Sequence, residues 1–315
     1  MKSKRSFTCS LLPSAGARAA FLLASTLLAV CTTASAQIYA VNVSGSTVGV
    51  YNFNGTTVNA TLITSGINQP YSLEIFGSDL FVSSKSGPLS EYGLDGTLVS
   101  SDLLNGNITW DVAVSGGNLY ATAYGSTVAE YSASTGIAIN TSLITGLSND
   151  TGITVSGNYI YVASGTTGVI GKYNLDGTTV DANFITGLNS PSGIKVSGND
   201  LFVLNQTGSV GEYDATTGIA INASLIAGLT NPTNFALSGT NLYISNFTGP
   251  AVSEWSTSGA LENATLFTLP SYGPEYGYGI AATPQPTPEP ATWGLLAGGA
   301  TLLLAGWRKR ARKRA

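Results

Sequence analysis

The chain has 315 residues, of which 43% are hydrophobic and only 10% charged, with 38 glycines, two cysteines and no histidine. Its formal net charge of −4 is unevenly spread: between Gln37 and Pro290 only Lys85, Lys172 and Lys195 face all 17 carboxylates, a net −14 for that span. Cys9 and Cys31 both precede Gln37, so the body has no thiol, no imidazole ligand and no Ser-His triad, and its acidity repels nucleic acid.

The first element in chain order is a leader. Lys2, Lys4 and Arg5 are followed by the apolar run Ala19 to Val30 and then by Ala34-Ser35-Ala36. This order of positive, apolar and small-x-small reads as a signal peptide over residues 1–36, cleaved between Ala36 and Gln37. The apolar run has 12 residues, too few for a membrane-spanning helix, which needs about 20.

The body from Gln37 onward is repetitive. Tyr51, Tyr92, Tyr131, Tyr173, Tyr213 and Trp255 succeed one another at 41, 39, 42, 40 and 42 residues. Each is preceded by the same short pattern, as in Ile170-Gly171-Lys172-Tyr173 and Val210-Gly211-Glu212-Tyr213. Alternate residues of a strand share a face, so the small residue and the aromatic point the same way. The small residue is expected to let a neighbouring sheet approach while the aromatic fills the gap beside it. Lys172 points the other way, toward a face expected to be partly solvated at the outer rim.

Every period holds four strand candidates separated by turn residues. In one unit these are Gly193 to Val196, Leu201 to Leu204, Val210 to Tyr213 and Ile221 to Ile226. Asp95-Gly96 and Asp176-Gly177 supply strong hairpin signals within the series. Asn-x-Ser/Thr triplets such as Asn222-Ala223-Ser224 recur because the fourth strand repeats, and need not be glycosylated. Four strands per unit of about 40 residues is the arithmetic of a β-propeller blade.

The blades can be counted. The first body strand, Ile38 to Val41, aligns with the second strand of a unit, and the last, Tyr278 to Ala282, aligns with the first. The C-terminal strand is therefore expected to complete the N-terminal blade and remove both sheet edges. The fold class is all-β: a six-bladed propeller over residues 37–282.

The unit is similar to NHL-type six-bladed propellers in Pro191-Ser192-Gly193-Ile194-Lys195-Val196, Leu201-Phe202-Val203 and Val210-Gly211-Glu212-Tyr213. It departs from them at Leu204-Asn205-Gln206-Thr207, which lacks their Asp and Arg/Asn cluster. In propellers of this type the residues opening the first strand surround the central channel. Here these are Ser72, Asp111, Gly152, Gly193, Asn234 and Gly279, preceded by Tyr71, Trp110, Thr151, Ser192, Thr233 and Tyr278. The resemblance implies either a shallow pocket, with Tyr71, Trp110 and Tyr278 as stacking surfaces and Asp111 and Asn234 as polar handles, or a plugged channel. Asp111 and Asp150 alone form too sparse a set for Ca²⁺, and no metal or other cofactor is expected.

A Pro/Thr linker over residues 283–287 leads to Pro288-Glu289-Pro290, an apolar stretch over residues 291–307 and a tail with six basic residues over 308–315. Seventeen residues make a helix of about 25 Å, close to the ~30 Å hydrocarbon core. Trp293 and Trp307 mark its two interfaces and the basic cluster should stay cytoplasmic. Triplet, helix and basic tail resemble the PEP-CTERM sorting signal of Gram-negative bacteria. That resemblance implies an exosortase-type protease as partner, the membrane as transient anchor, and delivery to the cell surface or extracellular matrix. A permanent single-pass anchor is the alternative.

The function expected on these grounds is a non-catalytic surface or matrix propeller that binds a glycan, a polymer or a protein. The alternative is an extracellular metal-dependent lyase or lactonase of the six-bladed propeller type.

Overall fold

The computed structural model describes residues 36–85, 87–106, 109–123, 126–148, 150–246, 251–269 and 279–285. The leader up to residue 35, Tyr278, the Pro288-Glu289-Pro290 triplet, the apolar stretch and the basic tail lie outside them. Ala36 and Gln37 are described, and Gln37 begins the first strand.

The described body is six antiparallel four-stranded sheets. The innermost strand of each blade packs on the innermost strands of its two neighbours, which closes a ring. Blade 5 has the strands Pro191–Ser197, Asp200–Asn205, Ser209–Asp214 and Ala220–Ala227 from axis to rim, matching the expected unit to within a few terminal residues. Its first hairpin turns through Gly198 at φ 60°, a backbone conformation that costs glycine nothing. The Asp-Gly turn of blade 4 places Gly177 at φ 83°. A Cβ there would lie 2.2 Å from the Leu143 carbonyl oxygen of the preceding blade, so the turn also requires glycine for space.

Ring closure follows the expected offset. Blade 1 is ordered Ile280–Ala282, Gln37–Asn42, Thr47–Asn52, Thr57–Ile63 from the axis outward. Ala40 pairs with Ile280 and Ile38 with Ala282. Thr283 extends the seam: its amide donates to the Gln37 carbonyl at 2.9 Å, and its Oγ1 accepts from the Gln37 amide at 2.8 Å.

Two aromatic columns hold the blades together. The one read from the repeat uses its small residues in an unexpected way. Tyr173 folds back over Gly171 of its own strand, where a Cβ would meet the Tyr173 Oη at 2.6 Å. Gly49 with Tyr51 and Gly211 with Tyr213 repeat this arrangement. The small residue thus makes room for its own strand's ring, and the ring then reaches the preceding blade. Tyr51 stacks on Phe267 at 4.0 Å, and Tyr92 Oη donates to the Ser65 carbonyl at 2.7 Å. The second column, on the second strands, is Tyr39, Phe81, Tyr120, Tyr161, Phe202 and Tyr243, each at most 2% exposed. Two of its hydroxyls tie the following blade: Tyr39 donates to the Leu94 carbonyl and Tyr161 to that of Ala215.

Lys172 departs from expectation. Its side chain is 4% exposed rather than partly solvated. Nζ donates to the Ala215 and Thr216 carbonyls at 2.9 and 3.2 Å, under the rings of Tyr159, Phe184 and Tyr161. Burial holds its ammonium below the usual lysine range. The next blade closes over this face, which one strand's alternation could not show.

The outermost strands are exposed, and each is irregular. In blades 1, 3, 4, 5 and 6 the side-chain oxygens of Asn59, Asn140, Asp181, Asn222 and Asn263 accept the amide two residues on, at 2.9–3.2 Å. The same place carries the register shift against the third strand, as between Val48/Ile63 and Val50/Asn59. The recurrent triplets are therefore β-bulges with an Asx turn inside, which bend an open edge away from pairing with another chain.

Candidate functional site

The inner strands run side by side around the axis, so equivalent residues form layers. The opening layer is built for contact. A Cβ on Gly152 would lie 2.7 Å from the Ser192 carbonyl oxygen, and one on Gly279 would lie 2.7 Å from that of Tyr71. On Gly193 it would meet the Phe235 ring at 3.0 Å. Glycine here lets adjacent inner strands touch.

Asp111 fills the same layer differently. Its Oδ1 accepts from Ser72 Oγ at 2.6 Å and from the Val112 amide at 3.0 Å, and its Oδ2 accepts from the Ile153 amide at 3.1 Å. One carboxylate thus ties blades 2, 3 and 4. Asn234 is equally committed, its Oδ1 accepting from the Phe235 amide at 2.7 Å and its carbonyl from Ser245 Oγ at 3.1 Å. It lies on blade 6, across the ring from blade 3.

At the same end of the channel Tyr71 and Trp110 meet edge to face, centroids 4.8 Å apart at 75°. Burial, then the nearby Asp111 carboxylate, pushes the Tyr71 hydroxyl above its ordinary pKa. In the same layer, on blade 5 across the ring from Tyr71, the Ser192 hydroxyl is buried without a hydrogen-bond partner among the described residues. The structure therefore brings Tyr71, Trp110 and Asp111 together on one side of the mouth. Asn234 stands apart from them, and Tyr278 and the Asp150 side chain lie outside what is described.

Two residues further along the inner strands comes a layer that the opener pattern did not single out. Ala113, Thr154, Ala236 and Ala281 leave room there for Glu74 of blade 2 to meet Lys195 of blade 5. Nζ to Oε2 is 3.1 Å, and it is the one ion pair among the described residues. Blades 2 and 5 are opposite in the ring, so the pair crosses the axis. The side chains keep 22% and 23% of their surface open, but protein surrounds them and that surface faces the channel. Burial raises the Glu74 carboxyl more than Lys195 lowers it, and Asp111 adds to the rise. For Lys195, burial pulls the ammonium down, but Glu74 and Asp111 together outweigh it and the net shift is upward. Beyond the pair a cavity of about 230 Å³ opens toward Pro284, at the end away from Trp110. The signal was present in the sequence: on the inner strands only Glu74, Asp111, Asp150 and Lys195 carry charge.

No family model and no curated protein matches the chain. In fold it is similar to a chain of the nidogen/laminin complex, with a TM-score of 0.62 at 14% identity over 79% of this chain and 100% of that one. It is also similar to the computationally designed Ika8 protein, at 0.45 and 15% over 70% and 68%. The Kuenenia stuttgartiensis hydrazine synthase gives 0.44 and 16% over 51% and 49%. The first likeness supports the propeller fold and, at that identity, the fold alone.

Proposed function

We propose that the chain is an exported, non-catalytic propeller that binds an extracellular polymer, glycan or protein, at the channel end carrying Tyr71 and Trp110. The observation that carries this reading is the pairing of an edge-to-face aromatic platform with a carboxylate already spent on joining blades. A general base or metal ligand needs a lone pair aimed at the ligand, whereas both Asp111 oxygens are aimed at protein donors. Aromatic faces beside a few polar groups suit recognition. The fold likeness to a chain of a protein–protein complex accords with binding. Residues 1–36 and the PEP-CTERM-like tail would direct export and delivery to the cell surface or matrix through an exosortase-type protease.

Arrays of polysaccharides and extracellular proteins test the binding reading directly. A bound polymer should lose at least tenfold in affinity on Trp110→Ala or Tyr71→Ala, whereas Asp111→Asn should lower stability more than affinity. Unchanged binding in the Tyr71→Ala/Trp110→Ala double variant overturns the site. Mass spectrometry tests the sorting: surface-released protein should begin at Gln37 and lack Arg308 to Arg314.

A further inference from the structure

Blade 6 breaks the aromatic column. Five blades place a tyrosine there, Tyr51, Tyr92, Tyr131, Tyr173 and Tyr213, only 2–6% exposed. Blade 6 has Trp255, which is only partly buried. Tyr92 ties its seam by donating to Ser65 of the preceding blade, and its companion Ser90 donates to the Gly66 carbonyl there at 2.9 Å. In blade 6 the equivalent groups are used on each other: Trp255 Nε1 donates to Ser253 Oγ at 3.0 Å. The seam between blades 5 and 6 opens into a cleft of about 500 Å³ along Leu229, Thr230, Asn246, Ser253, Trp255 and Leu261.

We infer that this cleft is a saccharide site separate from the channel mouth, taking a neutral pyranose unit on the face of Trp255. The volume falls within the range of small-ligand sites, roughly 300–1,000 Å³. The Nε1–Ser253 bond fixes the plane of the indole, and Leu229 and Leu261 flank it with apolar surface suited to the C–H face of a sugar. Asn246 lines the cleft beside Thr230 and Ser253, and its side-chain amide supplies a polar partner for a sugar hydroxyl. The body's net charge of −14 disfavours uronates and sulfated sugars.

The test is a saturation-transfer NMR titration of the full chain with cellotriose, maltotriose and triacetylchitotriose. At least one trisaccharide should bind, and Trp255→Tyr should weaken it at least tenfold by restoring the closed seam of the other blades. Asn246→Leu should do the same without touching the ring, and it carries the test alone if Trp255→Tyr does not fold. Absence of binding by all three sugars overturns the site, as does binding that both variants leave intact. Loss of sugar binding on Trp110→Ala but not on Trp255→Tyr moves the sugar to the mouth, which overturns this inference and leaves the proposed function standing.

Discussion

Replacing Lys195 by methionine leaves Glu74 and Asp111 inside the channel with no cation between them. Breaking a fully buried pair costs about 3–5 kcal/mol, and an exposed one about 0–1 kcal/mol. With 23% and 22% of their side-chain surface still open, this pair falls between, and Lys195→Met should cost about 2–3 kcal/mol. Glu74→Gln should be milder, about 1 kcal/mol, because Lys195 keeps Asp111 as a counter-charge. The double variant should recover at least about 1 kcal/mol relative to the sum of the single ones. Urea titrations measure all three, and pH supplies a second axis. In Lys195→Met the Glu74 carboxyl, already pushed up by burial and Asp111, holds its proton above the pH, about 4.3, at which the unfolded chain releases it. The folded form then binds more protons, so the variant should regain stability on acidification from pH 7 toward 5. The reasoning fails if Lys195→Met is no worse than Glu74→Gln, or shows no such recovery.

Within the aromatic column, Tyr173→Ala should cost about 3–5 kcal/mol through the cavity it leaves, and Gly171→Leu should approach it by driving against the Tyr173 ring. Lys172→Ala should now rank with them by denaturant titration, whereas Lys172→Met, which keeps the ring contacts, should be much milder. Deleting residues 280–282 removes the inner strand of blade 1, so its thermal midpoint should fall further than that of a chain ended after Ala282. Burial pushes Tyr39 and Tyr161 up to about 12, while unfolded tyrosine ionises near 10. Between these values the folded chain binds more protons, so stability should fall as pH rises, and Tyr39→Phe should flatten that slope in a denaturant-by-pH series.

Strand alternation and repeat length are local properties, which is why the sheets, the blade count and the closing offset of Ile280–Ala282 on Gln37–Asn42 could be read along the chain. The faces of Gly171 and Tyr173 were legible for the same reason. Their contact with each other was not, because a side chain's rotamer, here a ring folding back along its own strand, is not written in alternation. Asp111 was legible as a channel residue but not as a tie, since its partners Ser72 and Ile153 come from other blades.

The chain's composition determines the acidic body, and its period determines the propeller. The linear pattern also names the residues that open each inner strand. Which of them are free was decided by closing the ring. Closure capped the Lys172 ammonium with the Ala215 and Thr216 carbonyls of the next blade, brought Glu74 to Lys195 from 121 positions away, and left Trp255 with a gap that five tyrosines fill elsewhere. Each of these depends on the blade next door or the one opposite, and contact across a ring is fixed by three-dimensional packing rather than by any local run of residues.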